Sequence, residues 1–200
     1  MIPKTRYVIL SIAFGILAAG SADKPFHVGS ASDYSHQESE QVLIGAKPFN
    51  TEDLTAEAFG KKADLLRYQV LPVLVVIQNN RKRTVDLRNV EINLVGADGR
   101  HVQPVPPEEL PYLAAHSKPP KVPGTGFPPI PLPKKKNPLN DPELVERAFA
   151  AKMLPPGDSA SGFFYFEAVS EPGDRLYLNG LRDTPSGQEI LYFEFEMKDK

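Results

Sequence analysis

From Tyr68 to Gln78 the chain reads Tyr-Gln-Val-Leu-Pro-Val-Leu-Val-Val-Ile-Gln, and its apolar centre, Val70 to Ile77, is eight residues long. That is a strand's length, far below the roughly 20 residues of a membrane-crossing helix. Leu71, Val73, Leu74, Val75, Val76 and Ile77 do not alternate with polar residues, so this strand is expected to be covered on both faces. A polar turn follows at Asn79 to Arg83, where asparagine tolerates left-handed backbone. Val85 and Leu87 then give way to Val90, Ile92 and Leu94, so the inward set changes from odd to even numbers. A pleat has period two, and one residue must be absorbed, which predicts a β-bulge or strand break at Arg88-Asn89. Ala97-Asp98-Gly99 turns the chain into Arg100 to Gln103.

The C-terminal third repeats this character. Ser159 to Ala168 carries Phe163, Phe164, Tyr165 and Phe166, of which one pair is expected in the core and the other beneath the proline-rich stretch. Asp174 to Leu181 follows the Glu171-Pro172-Gly173 turn. Gln188 to Met197 places Leu191, Phe193 and Phe195 on one face and Glu194 and Glu196 on the other, the pattern of a half-solvated strand. Two short helices are expected. One is capped by Asn50 or Thr51, with Leu54, Ala58 and Phe59 as its apolar face and Gly60 past its end. The other is capped by Asn140 or Asp141, with Pro142 at its first position, over Glu143 to Ala151. About seven closely spaced strands without long helices indicate an all-β fold, an antiparallel β-sandwich of immunoglobulin-like type. The chain has no cysteine, so burial alone must hold it together.

Residues 104–142 depart from this pattern and hold 13 of the 21 prolines. Proline lacks a backbone donor and fixes φ, so the stretch is expected as an extended, polyproline-like insertion on the surface rather than a helix or central strand.

The first 22 residues have another layout. Lys4 and Arg6 precede the apolar run Tyr7 to Ala19, and Gly20-Ser21-Ala22 follows. Positive, apolar, then small is the order of a cleavable secretory leader. The expected organisation is a signal peptide at 1–22, a flexible polar lead-in at 23–40 and a sandwich domain at 41–200. Loss of Lys4 and Arg6 would take the net charge from −2 to −4, which offers no basic field for nucleic acid or an anionic membrane. No integral span is expected once the leader is gone, and a lipid-modified N-terminus would need a cysteine.

Few residues suggest chemistry. Gly157-Asp158-Ser159-Ala160-Ser161-Gly162 brings serine hydrolases to mind, but a nucleophile elbow needs glycine two residues either side of the serine, and Ser161 fills one of those places around Ser159. His27, His36, His101 and His116 lack the spacing of a helical zinc motif. No catalytic residue, cofactor or metal site is expected. The favoured contact is the proline stretch, with Pro128, Pro129, Pro131 and Pro133 followed by Lys134, Lys135 and Lys136. Such a segment has little conformational entropy left to lose on docking.

The arrangement Leu154-Pro155-Pro156-Gly157, a small-residue step, then Phe163-Phe164-Tyr165-Phe166-Glu167, resembles bacterial secreted immunoglobulin-like domains of unknown function. So does Val73 to Ile77 ending in Gln78-Asn79-Asn80. The resemblance covers roughly Val70 to Met197 without the proline insertion, and it implies an extracytoplasmic β-sandwich with no assigned activity. The expected function is a non-enzymatic binding or structural module of the cell envelope, holding a protein or envelope polymer. The alternatives are a membrane-tethered accessory subunit anchored by Tyr7 to Ala19, and a serine hydrolase using Ser159 or Ser161.

Overall fold

The computed structural model describes residues 26–116, 137–190 and 192–197. The leader expected at 1–22 and the contact expected from Pro128 to Lys136 lie outside them. The strand read first from the sequence is β3 (Val70–Asn79), and its alternation explains the architecture. Leu71, Val73, Val75 and Ile77 enter one apolar core, while Val70, Leu74 and Val76 enter a second. Pro72 is tolerated because its carbonyl faces β2 (Val42–Pro48) at the end of that ladder, accepting from Phe49 N–H at 2.8 Å. Its missing donor therefore costs the pairing with β9 (Ser159–Glu167) nothing.

A five-stranded sheet runs β1 (Ser35–Ser39), β2, β3, β9, β7 (Pro104–Val105). A four-stranded sheet packs on it in the order β12 (Phe193–Glu196), β10 (Arg175–Asn179), β5 (Glu91–Val95), β6 (His101–Val102). A small third sheet joins β11 (Arg182–Asp183), β4 (Val85–Asp86) and β8 (Met153–Leu154). All strand pairings are antiparallel, and the mainly-β sandwich is as expected. The count is larger than the seven foreseen: the described residues hold 12 strands, several of them two residues long. Val42, Ile44, Ile92, Leu94, Leu176, Leu178, Phe193 and Phe195 fill the space between the two large sheets. The predicted break at Arg88-Asn89 is present, because β4 and β5 belong to different sheets and the chain turns between them. Gly180 passes so close that a Cβ there would lie 1.9 Å from the Asn89 carbonyl, and its φ of +81° also favours glycine.

The second core supplies the cover expected on the other face of β3, and the sequence reading had not placed the helices there. Short helices cover the outer face of the five-stranded sheet: α1 (Glu52–Phe59), α2 (Leu110–His116) and α3 (Pro142–Glu146). Phe59, Leu110, Leu139 and Leu144 press on Phe163 and Tyr165 from that side. Both aromatic pairs of β9 therefore pack inward, Phe166 and the half-buried Phe164 facing the sandwich interior and Phe163 and Tyr165 the helices. The Tyr165 hydroxyl donates to the Leu144 carbonyl at 2.7 Å, and burial holds it far above the ordinary phenol range. Thr51 caps α1 and Asp141 caps α3, as expected.

Several boundaries differ. The stretch read as a flexible lead-in is ordered from Phe26, and residues 35–39 form β1, an edge strand paired with β2. Within the insertion read as wholly extended, Pro104 and Val105 pair with Tyr165 and Phe166, and residues 110–116 are helical. Edge position excuses the first proline, and Pro111 lies in the first helical turn, where its missing N–H has no partner to lose. The helix expected to Ala151 stops at Glu146, because Arg147 and Phe149 pair with β9 instead: Phe163 N–H donates to Arg147 O at 2.9 Å, and Phe149 N–H to Phe163 O at 3.0 Å. The strand expected over 188–197 is split, since Gln188 and Ile190 bond back to Asp183 and Leu181 before β12 begins.

The two large sheets also meet along one edge. Side chains of β1 serve the backbone of β12, with Ser35 Oγ donating to Glu196 O at 3.1 Å and Gln37 Oε1 accepting from Glu194 N–H at 2.8 Å. On the opposite edge the chain itself passes from β6 to β7, joining one sheet to the other.

Candidate functional site

The serines of the hydrolase alternative sit in a regular ladder. Ser159 is opposite Gln78 and Ser161 opposite Val76, and both are exposed. Among the described residues no hydrogen bond links either side chain to a histidine or carboxylate. His27 and His101 are exposed, and His36 Nδ1 lies 2.9 Å from the Tyr34 carbonyl. Nor do the described residues gather three metal-ligating side chains. The proline contact lies outside the described residues, which include the chain on either side of it. The chain leaves from α2, and it returns at Asn137, whose side-chain amide donates to the Pro111 carbonyl at 2.8 Å.

One end of the sandwich is closed by a charged cluster that the sequence did not reveal. Asp183 is buried, and its Oδ2 accepts from Ser186 Oγ at 2.6 Å and from Arg83 Nη1 at 3.3 Å. Its other oxygen faces Arg81 Nη2 at 3.5 Å, and Arg81 reaches on to Glu40 at 3.2 Å. The Ser186 hydrogen bond, then Arg83 and Arg81, hold this carboxyl below the usual carboxylate range. Arg88 holds Asp86 down to about 2 in the same way, by hydrogen bonding first. A depressed folded pKa contributes stability that is complete above the unfolded value and lost as pH falls through the folded one. Stability is therefore expected to hold from neutrality to about pH 4 and to fall toward about pH 2, which urea midpoints across that range would check. Asp86→Asn should flatten the fall, and an unchanged slope would show that Asp86 does not drive it.

At the other end, Gln69, Leu94, Arg100, Val102, Val169 and Asp174 line a small cavity of about 230 Å³. Asp174 is buried in its wall and already engaged by Ala97 N–H at 3.3 Å and Glu171 N–H at 2.8 Å. This wall is built to hold turns.

The surface that presents free chemistry is the outward side of the four-stranded sheet. Alternation sends Phe193 and Phe195 inward, so the even-numbered residues of that segment face out, and among the described residues no element covers them. Tyr192 is 54% exposed there and stacks on Tyr177 of β10, with centroids 5.3 Å apart and planes inclined by 23°. Tyr177 has Asn93 of β5 as its register partner on one side and Glu194 of β12 on the other. Arg175 Nη1 donates to Glu194 Oε1 at 2.8 Å. Asn93 also borders a groove of about 340 Å³ at the β5 margin, which opens between the two large sheets, since Ile92 and Phe164 line it too. The sequence carried half of this signal: parity puts Tyr192 outward with Glu194 and Glu196. That Tyr177 stands beside it is a matter of strand register, which the sequence does not state.

No family model matches this chain, and no curated protein matches it. Solved structures give distant similarities. A secreted protein from Mycobacterium tuberculosis is 17% identical over 88% of this chain and 99% of that one, with a TM-score of 0.38. A functionally unknown protein from Listeria monocytogenes is 12% identical over 88% and 98%, also at 0.38. A proposed lipoprotein from Bacillus subtilis is 14% identical over 84% of this chain, with a TM-score of 0.41, and this chain spans 40% of its length.

Proposed function

We propose that this chain is a non-enzymatic module that works outside the cytoplasm, in the cell envelope, and holds a protein or polymer partner. The observation that carries the reading is the pair of tyrosines stacked on an uncovered sheet face, since large aromatic surface left in water marks a place of contact. The leader-like order of residues 1–22 supports export. The described packing starts with Phe26, whose ring meets Phe49 and Phe163, so a cut after Ala22 would spare every described contact. Among the described residues no helix is long and apolar enough to cross a membrane. The segment with Pro128, Pro129, Pro131, Pro133 and Lys134 to Lys136 is offered as a second contact for the same partner.

The test is to express the full chain with a C-terminal tag, fractionate the cells and weigh the purified product. The expected product lies outside the cytoplasm, with its mass reduced by that of residues 1–22. A full-length chain in the cytoplasm would sink the export reading, and a full-length chain in the membrane fraction would favour the tethered alternative. A fluorophosphonate probe should leave the purified protein unlabelled. Labelling abolished by Ser159→Ala or Ser161→Ala would instead establish a hydrolase.

A further inference from the structure

Tyr177 and Tyr192 are brought together by strand register. Tyr177 stands opposite Glu194 in the β10–β12 ladder, so Tyr192, two residues earlier, is its diagonal neighbour on the same side of the sheet. The centroids are 5.3 Å apart and the planes inclined by 23°, which stacks one phenol on the other. Both rings stand on fixed backbone. β10 lies between β5 and β12, and Phe193, next to Tyr192, is fully buried. Tyr192 is also more than half exposed, so a bulky reagent can reach it.

Composition narrows what such a pair can do. The chain has no cysteine and no tryptophan, which leaves tyrosine as its ready donor of single electrons. Methionine oxidises differently, by taking up an oxygen atom. The other tyrosines of the described residues are placed otherwise. Tyr165 is buried and donates its hydroxyl to the Leu144 carbonyl, and Tyr34 Oη accepts from Gly29 N–H at 2.7 Å. Tyr68 packs against the second core, and Tyr112 lies on α2, across both sheets from the stack.

An electron taken from Tyr192 leaves a phenoxyl radical, with the phenolic proton lost to water. Its unpaired spin spreads to the ring carbons beside the oxygen. A second oxidation at Tyr177 creates a like radical already held against the first, and such proximity replaces a slow encounter between molecules. One ring carbon of each residue then joins the other, and the hydrogen each carried moves back to its own oxygen. The two electrons and two protons released reduce one hydrogen peroxide to two waters. Going beyond the binding-module reading, we infer that the Tyr177–Tyr192 stack is an oxidative cross-linking site, joined as dityrosine by a haem peroxidase and hydrogen peroxide. The bond ties β10 to the residue that leads into β12, and supplies a covalent link to a fold without disulfides.

The test treats the purified chain, in dilute solution, with a haem peroxidase and hydrogen peroxide. The wild type should gain dityrosine fluorescence while running as a monomer on a denaturing gel, and its intact mass should fall by two hydrogens. Peptide mapping should link the fragment holding Tyr177 to the one holding Tyr192. Tyr192→Phe keeps a ring for packing but has no phenol, so dityrosine in its monomer should fall about tenfold or more, the held partner being lost. Tyr177→Phe should behave alike, and Tyr112→Phe should couple as the wild type does. Both stack variants should melt as the wild type does before treatment, so that the loss reads the missing phenol. Undiminished dityrosine in monomeric Tyr192→Phe would overturn the inference. So would coupling found only between chains, or oxygen added to Tyr192 with no link formed. Export and partner capture are read by other experiments, so the module reading neither carries this inference nor falls with it.

Discussion

Replacing Phe163 with alanine is expected to destabilise the protein by about 3–5 kcal/mol, the range for deleting a fully packed ring. The residue is 2% exposed, and its centroid lies 4.7 Å from that of Phe59, 4.9 Å from Phe49 and 5.7 Å from Phe26. Three segments therefore lose their common neighbour at once: the start of the described chain, the end of β2 and helix α1. The cavity cannot close easily, because β9 is held in register by β3 on one edge and by Arg147 and Phe149 on the other. For a domain of this size the corresponding drop in melting temperature is roughly 6–20 °C, measurable by calorimetry. A loss under about 1 kcal/mol would mean that the helical layer can repack around a void, contrary to the close packing argued here.

The second large effect concerns a polar residue. Asn79 is fully buried at the end of β3, and its side-chain amide nitrogen reaches the carbonyls of Arg83 at 2.8 Å, Leu154 at 2.9 Å and Pro155 at 3.1 Å. Its oxygen accepts from Arg81 N–H at 3.0 Å. The sequence reading explained the asparagines of this turn by their tolerance of left-handed backbone, but the positive-φ residues outside glycine are Glu40, Gln41 and Gln69 among the described residues. The side chain is what matters: it fastens the β3–β4 connection to the turn after β8. Asn79→Ala leaves those backbone groups without their partner, and about 3 kcal/mol should be lost, since each buried unpaired group costs roughly 1–3 kcal/mol and some will find water. Urea unfolding should show a lower midpoint with an unchanged slope. Equal stability of Asn79→Ala and wild type would show that water replaces the amide without penalty.

These two residues also mark how far the sequence could be read. The coverage of β3 on both faces and the inward aim of Phe193 and Phe195 follow from apolar patterning, which records burial directly. The break at Arg88-Asn89 followed from parity alone. What escaped were elements without a pattern to show. β1 buries neither face completely, so Ser35 to Ser39 carries no apolar alternation, and its place is set by β2 and by the contacts of Ser35 and Gln37. β4, β6, β7, β8 and β11 are two residues long, too short for any period to appear. Proline density concealed α2 because a composition argument does not distinguish the first turn of a helix from its interior. The candidate site was half legible for a related reason. Parity aims Tyr192 outward, but the stack with Tyr177 is a non-local fact of pairing between strands.

The seam where Ser35 and Gln37 meet β12 bears on how the protein behaves when many copies crowd together. An unsatisfied strand border invites the same border of another molecule, and repetition of that step grows fibres. Here the border is occupied by groups from within the molecule, so a newcomer would have to displace bonds already made. An incoming strand thus finds that flank shut, while the tyrosine-bearing side stays open.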